Sequence, residues 1–351
     1  MKYDHPRPAR PGRKRMFRVS PERPMAMLAR CPVYEATPLT SLPALAGELG
    51  IAALSVKDET QRMRLGSFKA LGGVFAVAQM IEDASGGADL AGEQARQTAA
   101  TMTFITASAG NHGLSVAAGA RIFGARAIIV LSQAVPEGFA ERIRRTGAEV
   151  VRVDGSYEDS VRHAIDAAER NGWLHLADGS WPGYTERPAL VMEGYSVLAE
   201  ECRRAFEADG SWPTHVLLQA GVGGFAGAIA AHIREYWAKQ PQIIVVEPDA
   251  APCLLASVKA GEPVRADGPA SNMGRLDCKD ASLIAFEALR EDADRFVTVT
   301  DEDAARAAAR FTRHGIVTTP SGAATLAALE DLRPGAEAHC LLIATEGPET
   351  L

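Results

Sequence analysis

The stretch Leu65-Gly66-Ser67-Phe68-Lys69-Ala70-Leu71-Gly72-Gly73 sets the reading of this chain, because it places one lysine among residues small enough to admit a flat ring. A lysine amine held partly desolvated beside an aldehyde can form a Schiff base with it. A lysine at the solvated edge of a helix carries the same local sequence, so the stretch gains meaning from the motifs that accompany it.

Thr106-Ala107-Ser108-Ala109-Gly110-Asn111-His112-Gly113 lies between the apolar run 102–105 and a helical pattern over 114–123, which reads as strand, turn and helix start. Backbone N–H groups of such a turn converge on the positive end of the helix, where a substrate carboxylate is well placed. Ser108, Ala109, Gly110 and His112 are the candidate residues for that contact, with His112 also suited to packing the turn. Asn111 can donate from its amide to a ring oxygen of a cofactor. Gln219-Ala220-Gly221-Val222-Gly223-Gly224-Phe225-Ala226-Gly227 follows a strand-like run and opens a helix, a combination that favours a phosphate. It also passes as a dinucleotide fingerprint, since the strand 243–246 ends at Glu247, about where a ribose-binding acid falls, so a nicotinamide oxidoreductase is an alternative. Thr318-Thr319-Pro320-Ser321-Gly322-Ala323-Ala324 opens another helix, with Ser321 a candidate cap. Ala177-Asp178-Gly179-Ser180-Trp181-Pro182-Gly183-Tyr184 sets one carboxylate among aromatic and small residues in a turn.

Together and in this order the five segments resemble the fold type II family of pyridoxal-phosphate enzymes, most closely its diaminopropionate ammonia-lyase branch, over roughly 57–347. The cofactor motifs are shared with serine and threonine dehydratases. The branch-level likeness rests on Lys57-Asp58-Glu59, Met192-Glu193-Gly194-Tyr195, Glu247-Pro248, Met273-Gly274-Arg275-Leu276-Asp277-Cys278 and Thr345-Glu346-Gly347. The resemblance implies pyridoxal 5'-phosphate bound through Lys69 with Phe68 beside it. Its phosphate would lie on Gly221, Val222, Gly223, Gly224 and Phe225, its phenolic oxygen on Asn111 and its pyridine nitrogen on Ser321. Lys69 and Asp178 are the implied catalytic pair, acting on a small amino acid. One position departs from the branch, which carries an aspartate where this chain has Ala109. If that carboxylate serves the D-isomer, this chain should prefer an L-amino acid, or act as an L-serine or L-threonine dehydratase-like lyase. A non-catalytic amino-acid-binding protein is the alternative from another class.

The implied architecture is tryptophan synthase β-like α/β: two three-layer domains on parallel sheets, with the active site in the cleft between them. A large domain would take 1–84 and 185–351, and a small one 85–184 with the asparagine loop. A homodimer is the expected assembly. Strand patterns over 52–56, 103–105, 127–131, 150–153, 216–218, 243–246 and 341–344 alternate with helical patterns over 68–82, 112–123, 136–146, 157–171, 190–208, 227–238, 301–313 and 322–332, as a parallel sheet requires. The Gly/Ala-rich stretch 84–99 and the turn-rich 178–188 are the boundary candidates.

With 351 residues, 47% of them hydrophobic, the chain can fill two cores. A net charge of -7 gives no general attraction to nucleic acid. The basic cluster Arg7, Arg10, Arg13, Lys14, Arg15 and Arg18 sits in a Pro-rich arm, 1–20, expected to be a flexible, solvated extension. No apolar run suits a membrane span or secretion signal, so a cytoplasmic location with no membrane partner is expected. Eight histidines and five cysteines show no metal-ligand spacing, and no metal is expected. Cys31, Cys202 and Cys340 read as buried thiols, while the resemblance puts Cys253 and Cys278 near the active site, where reduced thiols are expected over a pair.

Overall fold

A computed structural model describes residues 1–6 and 15–348. Eleven strands form two sheets. They are β1 (Lys2–Asp4), β2 (Leu39–Ser41), β3 (Ala53–Asp58), β4 (Thr103–Ala107), β5 (Arg126–Ser132), β6 (Glu149–Val153), β7 (Leu174–His175), β8 (His215–Gln219), β9 (Gln242–Pro248), β10 (Arg295–Val299) and β11 (His339–Ala344). The larger sheet runs β1-β10-β9-β8-β11-β3-β2, and the smaller β6-β5-β4-β7.

In the larger sheet β10, β9, β8, β11 and β3 are mutually parallel, and only the three-residue edge strands β1 and β2 run antiparallel. Val216, Leu217 and Leu218 of β8, the run 243–246 of β9 and 341–344 of β11 are all buried. Strands covered by helices on both faces read as unbroken apolar runs, which is why these were visible in the sequence. Short edge strands leave little unpaired backbone for another chain to add to. The smaller sheet is wholly parallel, with β4 between β5 and β7.

Each of the expected strands and helices is present. Short β1, β2 and β7 carry too few residues for a period-two pattern. β10 went unseen because its Phe296 and Val297 follow the acidic, helix-ending stretch Glu291-Asp292-Ala293-Asp294. The stretch 84–99 holds most of the helix Glu93–Ala100, which buries Ala95 and Ala99 four residues apart on one face.

Where it is described, the N-terminal arm is packed and not a solvated extension. β1 pairs with β10, the terminal ammonium donates to Thr298 Oγ1 at 2.6 Å, and Phe17 and Val19 are buried. Arg15 makes a bidentate pair with Asp292 at 2.6 and 3.2 Å. Apolar side chains inside the basic cluster gave the arm a reason to dock. Arg7, Arg10, Arg13 and Lys14 lie outside the described residues.

The turn ahead of the lysine segment is held by buried charge. Arg62, fully buried, donates to Glu59 at 2.7 Å and to Glu201 at 2.7 and 2.8 Å, and Lys57 donates to the same Glu201 at 2.5 Å. Met63 and Arg64, immediately after it, hold φ of 48° and 59°, a left-handed conformation unfavourable to side chains of that size. Such strain persists where the surroundings over-determine it, and the Arg62 clamp does so here. Among the described residues no helix is long and apolar enough to cross a membrane, and no cluster of His, Cys, Asp and Glu could hold a metal.

Candidate active site

Lys69 opens the helix Lys69–Ala84, and Asp178 lies in the loop after β7. Their side chains meet as an ion pair and stay 21% and 24% exposed, so the pair is reachable from the cleft. Burial works to push the Lys69 ammonium down, but the Asp178 charge outweighs it and the net shift is upward. Burial likewise pushes Asp178 up, and the Lys69 charge reverses that, holding the carboxyl well below its usual range. Both groups are therefore charged at neutral pH.

Aromatic rings back this pair. Phe68 packs on Phe225 at 4.3 Å and on Tyr195 at 5.0 Å between centroids, and the Lys69 ammonium stands 5.5 Å from the Phe68 ring. The Tyr195 hydroxyl is buried and turned to the Lys69 ammonium, 6.0 Å separating its ring from the Lys69 nitrogen.

The glycine loop leads from β8 into the helix Gly224–Tyr236, with Gly223 at φ 95° as its cap. A Cβ at Gly221 would come within 2.9 Å of Cys278 Sγ and 3.1 Å of the Arg275 carbonyl, so only glycine lets the backbone pass there. The loop's N–H groups and the helix start present a cradle for an anion. Asp178 is fixed relative to it by two serines. Ser180 Oγ and Ser282 Oγ are 2.7 Å apart, and the Ser282 N–H donates to the Val222 carbonyl at 2.9 Å.

In the asparagine loop, Gly110 caps the helix Asn111–Phe123, and Gly113 lies against the Ser108 carbonyl with no room for a Cβ. Asn111 Nδ2 donates to Glu346, just past β11, joining the two sheets. His112 is buried with Nε2 bonded to the Leu176 carbonyl at 2.9 Å, so its side chain packs the turn, and burial lowers its pKa. Ala109 adds no charge.

Ser321 is not the helix cap. Thr319 takes that role for the helix Pro320–Leu332, its Oγ1 accepting from the Gly322 N–H at 3.1 Å, with Pro320 in the first turn. Ser321 Oγ is left to accept from the Arg275 N–H at 3.2 Å. A second hydroxyl, that of Thr345, is buried nearby, accepting from Gln219 Nε2 at 3.3 Å while the same amide reaches the Ser321 carbonyl at 3.5 Å.

Glu247 is spent elsewhere. Its two carboxylate oxygens accept from the Leu254 and Leu255 N–H groups at 2.8 Å each, capping the helix Cys253–Ala260 from a fully buried position. Fully buried and turned to that helix, Glu247 is not open to a ribose, and the dinucleotide reading loses its acid. Cys253 and Cys278 are free thiols, and burial pushes the Cys278 thiol up to about 12. Cys202 and Cys340 are buried as expected, whereas Cys31 is partly exposed.

Sequence reasoning gave no role to Tyr195, Arg275, Ser282, Thr319 or Glu346. Four of them, all but Ser282, sit in segments quoted for the family likeness, but a side chain that works through a distant partner leaves no local pattern.

A lysine amine beside an aromatic floor, near a glycine cradle and buried neutral hydroxyls, fits an aldehyde cofactor that carries a phosphate. Residues 31–346 match the family described as "Pyridoxal-phosphate dependent enzyme". The chain belongs to that family, with the fold type II architecture, and its cofactor is pyridoxal phosphate. The chain is similar to diaminopropionate ammonia-lyase of Escherichia coli strain K12, 36% identical over 78% of this chain and 70% of the relative. It is 34% identical to the enzyme of the same name from Salmonella typhimurium strain LT2, over 92% of this chain and 88% of the relative. The crystal structure of holo diaminopropionate ammonia lyase from Escherichia coli superposes with a TM-score of 0.88 at 29% identity, covering 99% of this chain and 93% of that one.

Proposed function

We propose that this chain catalyses the pyridoxal-phosphate-dependent α,β-elimination of 2,3-diaminopropionate, with water, to pyruvate and two molecules of ammonia, preferring the L-isomer. The observation that carries the reading is the Lys69–Asp178 pair, a carboxylate set beside the one amine that must both bind the cofactor and move a proton. The cofactor, when bound, supplies an imine and a conjugated ring that draw electron density from the substrate Cα. The Lys69 amine would take the α-proton of the substrate. The loop of Ser108, Ala109 and Gly110 holds the substrate carboxylate on its N–H groups. Gly221, Val222, Gly223, Gly224 and Phe225 would hold the phosphate, Asn111 the phenolic oxygen, and the neutral hydroxyl of Ser321, with that of Thr345 nearby, the ring nitrogen. A neutral hydroxyl there would leave that nitrogen without the charge needed for long electron storage, which would favour prompt loss of a β-substituent.

Asp178 selects the substrate. Its carboxylate attracts a β-ammonium, and as the Lys69 charge moves away, burial is left as the dominant influence and raises its proton affinity. It then manages the proton of the departing amine. Ala109 removes a second carboxylate from the cleft, which supports the L-preference and is also what favours the second reading, an L-serine or L-threonine dehydratase-like lyase.

The same reading divides the chain into a large domain, 1–84 with 185–351, and a small one, 85–184, and makes it a cytoplasmic homodimer. The self-contained sheet of β4 to β7 supports the division. Borohydride reduction of the holoenzyme followed by peptide mass spectrometry should find the cofactor on Lys69, and an adduct elsewhere overturns the assignment. Keto-acid release should be fastest from L-2,3-diaminopropionate among the D- and L-forms of diaminopropionate, serine and threonine. Faster release from L-serine or L-threonine establishes the dehydratase reading instead. Light scattering measures the assembly.

A further inference from the structure

Glu346 is 5% exposed, and a carboxylate so deep has to be hydrogen-bonded. Its Oε1 accepts from Thr319 Oγ1 at 2.6 Å, and its Oε2 accepts from Asn111 Nδ2 and lies 3.5 Å from Arg275 Nε. The backbone carbonyl of the same residue accepts from Thr318 Oγ1 at 2.5 Å. One side chain thus stands where the asparagine loop of the smaller sheet meets the Thr318 turn and the Arg275 segment of the larger. Arg275 is pressed against the same loop, because a Cβ at Gly110 would lie 2.7 Å from its Nη1.

The consequence concerns which way Asn111 faces. A carboxamide has two edges of nearly equal size, one that donates and one that accepts. An ionised carboxylate only accepts, so Glu346 admits the NH2 edge and repels the carbonyl edge. That NH2 group has two hydrogens. One is used on Glu346, and the other remains for an acceptor in the cleft. Turned over, Asn111 would set its carbonyl oxygen against the phenolic oxygen of the cofactor, acceptor against acceptor.

We propose that Glu346 is a positioning residue that fixes the Asn111 amide in its donating orientation and so seats the cofactor; this rests on the assignment of Asn111 to the phenolic oxygen. Glu346 touches no reacting atom and acts through Asn111. The test is a double-mutant cycle on the full chain, with Glu346→Gln, Asn111→Ala and the double variant. Each apoprotein is titrated with pyridoxal phosphate, and the visible band of the bound cofactor, kcat and KM are recorded. A charge-assisted hydrogen bond lost in this way should weaken cofactor binding by about tenfold to a hundredfold.

Glu346→Gln should show that loss, together with a changed visible band and a fall in kcat larger than the change in KM. Asn111→Ala should match it, and the double variant should be no worse than Asn111→Ala alone. If Glu346→Gln costs as much in the Asn111→Ala background as in the wild type, Glu346 acts independently and the inference is overturned. If Asn111→Ala leaves both affinity and band unchanged, the inference also fails, and the fault lies in the role given to Asn111. Glu346→Asp keeps the charge but withdraws it by one methylene, and it should show the same dependence on Asn111 should the glutamine variant not fold. Apoprotein melting curves separate the two cases.

Discussion

Asp178→Asn removes one charge from a contact pair while keeping the shape of the side chain. The two partners are about one-quarter exposed or less, so an effective dielectric nearer 20 than 80 applies, and unit charges in contact there interact by roughly 4 kcal/mol. Water access and the hydrogen bonding that asparagine retains return about half of this, leaving roughly 2 kcal/mol, or about thirtyfold, in favour of a cationic β-substituent. Loss of the proton carrier adds a factor of about a hundred or more that applies to any leaving group. L-Diaminopropionate turnover should therefore fall about thirtyfold further than L-serine turnover, measured as pyruvate release coupled to lactate dehydrogenase. The cofactor should remain on Lys69. With the carboxylate gone, burial is left to push the lysine down, so capture of free pyridoxal phosphate should extend to lower pH. Equal losses on both substrates would refute the selectivity argument and leave Asp178 a general acid or a structural group.

Ala109→Asp restores a carboxylate to the asparagine loop and should raise turnover of D-diaminopropionate at least tenfold relative to the L-isomer, by about 1.4 kcal/mol of transition-state binding; an isomer ratio unchanged in the keto-acid assay contradicts the stereochemical reading. Arg62→Ala leaves Glu59 and Glu201 buried without their shared cation, and urea unfolding should show a loss of about 3–5 kcal/mol. A loss below about 1 kcal/mol would mean that water replaces the guanidinium. Burial pushes the Glu247 carboxyl up to about 8 against the pull of two N–H donors, from an ordinary 4.5. A proton held more tightly by the folded chain stabilises it below pH 4.5, and that contribution is lost as pH rises through 8. Denaturation at pH 5.5 and 8.5 should thus show the wild type losing more stability over this interval than Glu247→Gln, which has no proton to release; parallel profiles would place the wild-type pKa near its ordinary value.

The residues that announce themselves in this sequence are those whose chemistry and neighbours lie in one short segment. β8, β9 and β11 are continuous apolar runs because both faces are covered, and the lysine, asparagine and glycine segments each carry their reason locally. Where the reason is remote, the sequence is silent or misleading. Glu247 falls at the spacing of a ribose acid, yet its oxygens are taken by two backbone donors seven and eight residues on. Ser321 looks like a cap, and Thr319, two residues earlier, has the extended backbone that a cap needs. Asp178 could be read as an ordinary turn residue until folding brought Lys69 to it across 109 positions. In the described part of the N-terminal arm, charged residues surround the apolar Phe17 and Val19 that anchor it, so a reading from charge alone points to solvent.

The Ser180–Ser282 contact makes the Asp178 stretch and the glycine loop mechanically one. Through Ser282 and Val222, the stretch that carries the selecting carboxylate is tied to the adjoining backbone that would grip an anion. A cofactor analogue shorn of its anionic tail would therefore leave more than a vacant cradle. It would loosen the registration of the acid with the substrate, so specificity and loading would decline in step.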